Sequence, residues 1–428
     1  MNLNDAGAFT DFFRALYGSN WNPFPWQIRL VQRVLEDKWP SVIALPTASG
    51  KTACIDIAVY ALACQAKLPA RNRTAPRRIL FVVDRRVIVD EAFERAKLLT
   101  IKLRTEKDGI VREVADRLRK LACGDDPLAC FLLRGGIYRD DTWAKTPVQP
   151  TVIASTVDQV GSRLLFRGYG LRSGYMWPIH AGLAANDSLI LLDEAHCAIP
   201  FKETMEAVSK YRQWAEQPIE SPLSFVMMTA TPPGDIDEDQ ILRDEESDWR
   251  HEVLGKRFEA AKPTNLVFAK KAKGDNAAAE FAEEAMKQAL ALVKKNGHMA
   301  VAIIVNRVAV AKMIYERLSS AREHDAVLLI GRMRSLDRDE VVATWIGKLS
   351  AQNSETRKLD RPVFVVATQC LEVGANLDFD GIVSECASLD ALRQRFGRLN
   401  RMGRDIDARG VIVIRADQTS SKVEDPIY

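Results

Sequence analysis

Hydrophobic and polar positions in this chain come in alternating blocks. A short unbroken apolar run is followed by a longer stretch in which apolar residues recur every three or four positions. The short runs in the first half fall at 42–45, 79–83, 152–154, 188–192 and 224–228. Uninterrupted runs of that length belong to strands covered on both faces, as in a parallel sheet. Between them the period is helical. Residues 27–36 place Ile28, Val31, Val34 and Leu35 on one face, with Pro25 suited to the first turn. An apolar helix follows Thr52 through Leu62, and an amphipathic one runs to about Leu99. Five strands alternating with helices make one doubly wound α/β domain.

The alternation then repeats. Strands are predicted at 265–268, 299–305, 326–330, 363–367, 381–385 and 410–414, with helices at 277–295, 307–318, 337–349 and 389–400. The pattern therefore gives two tandem domains, 1–260 and 261–428, each built on a parallel sheet. Three stretches break it. Residues 100–147 read as a charged helical insertion ending in the loop Leu133-Arg134-Gly135-Gly136. Residues 161–186 read as a loop, and the acidic 235–248 as a solvated surface or linker.

Composition narrows the class without choosing within it. The 428 residues carry 60 Lys and Arg against 57 Asp and Glu, a net charge of +3, so any basic footprint for nucleic acid must be local. No apolar run reaches the length of a membrane span, and the first residues lack the basic-then-apolar pattern of a secretory signal. Seven scattered cysteines, at 54, 64, 123, 130, 197, 370 and 386, read as reduced thiols of a cytoplasmic protein.

Chemistry enters at the strand ends. After the first strand comes Pro46-Thr47-Ala48-Ser49-Gly50-Lys51-Thr52 and then a helix, the context a phosphate-binding loop requires, although Leu45 stands where the strict motif has glycine. Lys51 would reach the β/γ-phosphates, and the Thr52 hydroxyl would join Mg²⁺. The fourth strand runs into Leu191-Leu192-Asp193-Glu194-Ala195-His196. A nucleotide hydrolase needs two acids at such a strand end: Asp193 to hold Mg²⁺ and Glu194 to orient or deprotonate the attacking water. Gln27 has an amide fit to bond an adenine edge. On the last predicted helix, Arg398 and Arg401 are three apart and so share a face, from which they would neutralise a γ-phosphate across an interdomain ATP cleft.

Nucleic-acid contacts are less specific. Arg85 and Arg86 at a strand exit suit a phosphate backbone or a solvated helix start, and Thr156 suits a phosphate or a helix cap. In the 161–186 stretch Arg163, Arg167 and Arg172 interleave with Phe166, Tyr169, Tyr175 and Trp177. That pattern fits single-stranded nucleic acid, or a loop folded on its own small core, which is favoured.

Five motifs, Pro46–Thr52, Asp193-Glu194-Ala195-His196, Thr229-Ala230-Thr231, Ala367-Thr368-Gln369-Cys370-Leu371-Glu372-Val373-Gly374 and Gln394–Arg401, occur in the order of the superfamily 2 helicases. With Val83-Asp84-Arg85-Arg86 and Asp378-Phe379-Asp380, the chain most resembles the CRISPR-associated helicase of type I interference systems, a DEAH-type enzyme. The resemblance implies two RecA-like domains, ATP and Mg²⁺ as cofactors, and 3′-to-5′ translocation on single-stranded DNA handed over by a guide-RNA surveillance complex. It also implies roles residue by residue. Thr47, Ala48, Ser49, Gly50, Gly374 and Asp378 would contact the nucleotide, and Gln394 would complete the site with Arg398 and Arg401. His196, Thr229 and Thr231 would couple hydrolysis to movement. Arg134, Asn306, Arg307 and Thr368 would join Arg85, Arg86 and Thr156 along the strand.

That family works with a metal-dependent HD nuclease. Here His324-Asp325 is the sole His-Asp dipeptide and has no companions, so no DNA cleavage is expected from this chain; the nuclease would be a separate polypeptide or a missing C-terminal part. The alternatives are a DEAH-type RNA helicase, an ATP-gated clamp that does not unwind, and a restriction-type motor on duplex DNA.

Overall fold

Residues with branched or apolar side chains and no polar break have only one stable placement, the inside of a sheet covered by helices on both faces. The computed structural model describes residue 3 and residues 5–418, apart from 37, 85, 136–140, 170–173, 218, 332, 334–340, 342–343, 346 and 372–375. It divides into two compact units, Met1–Leu254 and Gly255–Tyr428, so the boundary falls before the residue 260 expected.

The first unit holds β1 (Val42–Ala44), β2 (Arg78–Val83), β3 (Ala129–Leu133), β4 (Thr151–Thr156), β5 (Ser188–Asp193), β6 (Leu223–Thr229) and β7 (Ile241–Arg243). They lie in the order β3-β4-β2-β5-β6-β1-β7, and every ladder is parallel. All six residues of β2 and of β4 are buried. Two of these strands escaped the sequence pattern. β3 sits at the sheet edge inside the expected helical insertion, where four of its five residues are only half-buried and so carry a weak apolar signal. The insertion's helices are Arg86–Thr105 and Gly109–Ala122. β7 is three residues long and lies in the acidic stretch taken for a linker. In that stretch Asp248 is wholly buried.

The 161–186 stretch is mostly helical, Val157–Leu164 and Met176–Ala185. Arg163 belongs to its packing: the guanidinium is 2% exposed, with Nη1 donating to the Gln159 carbonyl and side-chain oxygens at 2.8 Å and Nε donating to His180 Nδ1 at 3.1 Å. Burial, and then the Arg163 charge, push His180 down to about 4, so the ring is neutral and accepts. Arg172 lies outside the described residues.

The second unit holds β8 (Thr264–Ala269), β9 (Ala300–Ile304), β10 (Asp325–Leu329), β11 (Val363–Ala367), β12 (Gly381–Glu385) and β13 (Arg409–Arg415), in the order β10-β11-β9-β12-β13-β8, again all parallel. Helices Ala277–Asn296 and Val308–Ser319 cover this sheet. The expected helix 337–349 falls largely outside the described residues. His324 packs edge-on against Phe364 and bonds the Leu318 carbonyl at 3.0 Å, while Asp325 pairs with Arg361.

A buried ion pair ties the entry to β2 to the entry to β5. Asp187, at φ 50°, accepts from Arg73 Nη2 at 2.6 Å and from the Arg77 backbone N–H at 2.9 Å, and the Arg73 side chain is 1% exposed. Removing the carboxylate strands that guanidinium without water. Asp187→Ala should therefore destabilise the first unit by about 3 to 5 kcal/mol, read as a shift of its transition in urea. A change below about 0.5 kcal/mol would show the pair to be dispensable.

Candidate functional site

Because all the ladders of the first unit are parallel, the loops that leave its strands gather at one edge, where doubly wound sheets bind ligands. β6 lies between β5 and β1, with Ala44 opposite Thr229 and Asp193 opposite Met228. The 46–52 loop, the Asp193-Glu194 pair and Thr229 therefore stand side by side.

The loop turns on two residues of left-handed backbone, Ala48 (φ 64°) and Gly50 (φ 79°), before a 3-10 turn, Lys51–Ala53, and the helix Cys54–Cys64. A side chain at Gly50 would meet the Phe24 ring at 3.2 Å and the Gln27 amide at 3.3 Å. Inside the loop, Ser49 Oγ donates to the Pro46 carbonyl at 2.9 Å. Lys51 is buried, with Nζ 3.4 Å from the Leu45 carbonyl, and Thr47, Ala48 and Thr52 are half-buried. Such a turn opens a helix whose leading N–H groups have no partner within it, the geometry that receives phosphate. Gln27 stands against this loop but is only 2% exposed: Nε2 donates to the Gly50 carbonyl at 3.3 Å, and Oε1 accepts from Phe24 N at 2.9 Å.

Asp193 and Glu194 end β5 differently. Burial raises Asp193 to about 6, the Lys51 charge opposes that rise, and the Glu194 charge adds to it. Asp193 Oδ1 is buried without a hydrogen-bond partner. Glu194 is held at φ 52°, a strained placement for a side-chain-bearing residue that turns the chain sharply after the strand. His196 Nδ1 lies 3.6 Å from Glu194 Oε2 and 3.5 Å from Thr229 Oγ1, which in turn accepts from the Thr231 N–H at 3.1 Å. The structure thus brings His196, Thr229 and Thr231 together beside the acids.

In the second unit the last predicted helix is shorter than expected. It spans Leu389–Phe396 and carries Gln394, half-buried; Arg398 and Arg401 follow it in a loop, so the shared helical face does not exist. Other bonds fix that loop. Phe379 N donates to the Arg398 carbonyl at 2.9 Å, and Asn400, at φ 41°, bonds Arg404 through both ends of its amide. Asp378, expected to touch nucleotide, is wholly buried. It accepts from the Arg401 backbone N–H at 2.6 Å and from Arg404 Nε at 2.8 Å, so it holds the loop that presents Arg401. Asp380 joins it through Arg404 and Arg357. Two further cations, Lys262 and Arg257, feel the Arg401 charge. Burial, and then the Arg401 charge, push the Lys262 ammonium down to about 8, and Arg257 is lowered by the same two causes.

The expected strand contacts separate. Asn306 is buried and committed to the protein, accepting from Arg395 Nη2 at 2.7 Å and donating to the Cys386 carbonyl at 2.8 Å. Arg134 pairs with Asp90 at 3.0 Å. Thr156 and Thr368 are buried at strand ends, and Arg307 is exposed at the start of a helix. Gly374 and Arg85 lie outside the described residues, as does the Arg86 side chain. Beside Thr156, at the ends of β2, β3 and β4, opens a cavity of about 730 Å³ lined by Asp84, Gln159, Arg167, Tyr169 and Phe201. Sequence reasoning missed Trp26, Asp248, Arg395, Asp380 and Arg404 as parts of these sites. For Asp380, Arg395 and Arg404 the signal was present, since all three lie in or beside the helicase-like motifs; Trp26 and Asp248 share no local pattern.

The model of the type III restriction enzyme res subunit matches residues 20–234, half of the chain, and that of the C-terminal part of the CRISPR-associated nuclease/helicase Cas3 matches residues 297–404. The chain belongs to the Cas3-type superfamily 2 helicases. A CRISPR-associated nuclease/helicase Cas3 of Methanothermobacter thermautotrophicus is 29% identical over 116 residues, 27% of this chain and 13% of that protein. The crystal structure of T. fusca Cas3 with AMPPNP matches 95% of this chain and 48% of its own, with a TM-score of 0.61 and 16% identity. Mss116p bound to ssRNA and AMP-PNP matches 96% and 72%, with a TM-score of 0.59 and 15% identity. The chain spans about half the length of the T. fusca protein, and what these structures share with it is the pair of RecA-like parallel-sheet domains.

The buried acid has a measurable consequence. Asp193 titrates near 6 when folded and near 3.8 as an unperturbed side chain. Between those values the folded state binds more protons than the unfolded one, so stability falls as pH rises through that window. Asp193→Asn should remove this dependence and raise the melting temperature at pH 7, by roughly 2 to 4 °C for each kcal/mol recovered. The gain should vanish below about pH 4. A loss of stability at pH 7 would contradict the net cost of holding this carboxylate desolvated.

Proposed function

We propose that this chain is the motor of a CRISPR interference assembly, an ATP-dependent translocase that moves 3′ to 5′ on single-stranded DNA and unwinds target DNA opened by a guide-RNA surveillance complex. The observation that carries the hydrolase part is the Asp193 carboxylate. One of its oxygens is buried and unsatisfied, under the charge of Lys51, at the strand edge that also carries the 46–52 loop. A desolvated carboxylate oxygen left without a partner is costly unless a ligand completes it.

That orphan oxygen and the half-buried Thr52 hydroxyl are hard oxygen donors of the kind Mg²⁺ takes, so the residues fit the metal. When bound there with ATP, Mg²⁺ would neutralise charge on the phosphate oxygens. The backbone of Thr47, Ala48, Ser49 and Gly50 cradles the phosphates, and Lys51 meets their charge. Gln27 reads the adenine edge with the N–H and lone pair its two internal bonds leave over. Glu194, turned out of the strand by its left-handed backbone, takes the proton of the attacking water. Arg398 and Arg401, with Gln394, offset charge developing on the γ-phosphate. His196, bonded to Thr229 and near Glu194, passes the state of the acids to the β6 exit.

For the strand, the cavity beside Thr156 offers Arg167 for phosphate and Tyr169 for a base, with Arg307 and Thr368 serving from the second unit. Single-stranded DNA is preferred to RNA because the match over 297–404 is to Cas3. Cleavage falls to an HD nuclease on another chain or in another part of the protein. No helix among the described residues is long and apolar enough to cross a membrane, and the proposed place of action is the cytoplasm.

Steady-state ATP hydrolysis with single-stranded DNA, duplex DNA, single-stranded RNA or nothing added tests this. Single-stranded DNA should stimulate most; equal or stronger stimulation by RNA would overturn the DNA reading. Lys51→Ala should lose nucleotide binding. Glu194→Gln should keep binding and lose turnover by about 10² to 10⁴-fold, and Arg401→Ala by about 10³-fold with little change in affinity. Normal turnover by Glu194→Gln would remove the catalytic assignment.

A further inference from the structure

Asp248 is wholly buried in the stretch just before the unit boundary, where an unpaired carboxylate would be strongly disfavoured. Its Oδ1 accepts from the Trp26 backbone N–H at 2.8 Å; its Oδ2 accepts from Arg29 Nη2 at 2.7 Å and from Glu245 N at 3.0 Å. Trp26 is itself fully buried, and its indole Nε1 donates to the Ser49 carbonyl at 2.9 Å, inside the 46–52 loop. Three residues after Asp248, His251 Nδ1 accepts from Val253 N at 3.2 Å and Leu254 N at 3.4 Å. It thereby caps the helix Glu252–Glu259, on which the unit boundary falls. The His251 ring stands edge-on to Phe24, with centroids 5.2 Å apart, and the Phe24 ring lies against Gly50. The far end of the same helix lies under the arginine loop: a Cβ at Gly403, which has φ 68°, would come within 2.1 Å of the Lys256 carbonyl.

Two side chains in the segment that leads into this helix, Asp248 in the short helix Glu246–Trp249 and His251 just after it, therefore grip the two aromatic residues that brace the loop, one at Ser49 and one at Gly50. We propose that Asp248 and His251 are positioning residues that tie the helix Glu252–Glu259 to the nucleotide loop through Trp26 and Phe24, so that a displacement of this helix changes the affinity for ATP. The inference rests on the 46–52 loop being the ATP site proposed above. Its physical basis is that the Ser49 carbonyl and the Trp26 N–H are buried groups with single committed partners, so they move together or lose a hydrogen bond. A phosphate loop binds only while its N–H groups converge, and small misplacements are costly.

Trp26→Phe keeps the ring and removes the indole donor; His251→Asn keeps an acceptor for the helix N–H groups and removes the ring. Each single variant and the double variant of the whole chain would be measured for ATP KM and kcat, for the Kd of a fluorescent ATP analogue, and for thermal unfolding. Trp26→Phe should raise KM and Kd about tenfold, the effect of one lost buried hydrogen bond, while kcat at saturation changes less than about twofold. His251→Asn should shift both in the same direction. The double variant should fall short of the product of the singles, because both act on one loop. Unchanged KM with only less folded or active protein would overturn the tie, as would effects that multiply independently. Absence of ATP binding and turnover in the unsubstituted chain would instead overturn the reading of the loop itself, and this inference with it.

Discussion

A parallel strand order forces every loop that follows a strand onto one edge of its sheet. In the first unit this constraint carries the 46–52 loop, the Asp193-Glu194 pair and the Thr229 turn to a common edge, although more than a hundred residues separate the first two. β6, inserted between β1 and β5, places Thr229 where His196 can meet it. The rest of the unit serves that placement. Helices exclude water from strands such as β2 and β4, which are buried along their whole length, and each fully buried large aliphatic side chain adds about 1.5 to 3 kcal/mol.

Polar groups at these sites fall into two kinds, and the contrast carries chemical meaning. Most are satisfied within the protein. Asp378 is filled by Arg401 N–H and Arg404, Asp248 by Trp26, Arg29 and Glu245, and Arg395 by Ser384, Glu385 and Asn306. Satisfied buried charges make rigid scaffolds, because moving one strands another. Asp193 is the other kind. Its Oδ1 is buried and unmatched, and burial keeps the group partly protonated near neutral pH. A fold retains such a group at a net cost.

The arginine loop of the second unit shows the same division of labour. Its shape comes from backbone bonds to Phe379, from the Asn400 amide and from a glycine that no other residue could replace without meeting the Lys256 carbonyl. Arg401 is presented by a turn, not by a helical face. Burial first, and then the Arg401 charge, lower Lys262 and Arg257 beside it.

The sequence by itself determined the two parallel α/β units, most of their strands and the main motif positions, because buried parallel strands are uninterrupted apolar runs and the motifs are contiguous. It did not show β3, a half-buried edge strand, or β7, whose three residues sit among acids. It could not show that Arg163 and Asn306 face inward, since an arginine or asparagine reads the same whether its partners are solvent or distant carbonyls. The helical spacing placed Arg398 and Arg401 on one face, whereas Gly397 and the bonds to Phe379 and Asp378 end the helix before either. Tertiary structure alone decided which charges are paired and which is left open. Asp248 meets Trp26 across 222 positions and Asp378 meets Arg404 across 26. Such partners are chosen by the packing of sheets and helices, not by the residues beside them in the chain.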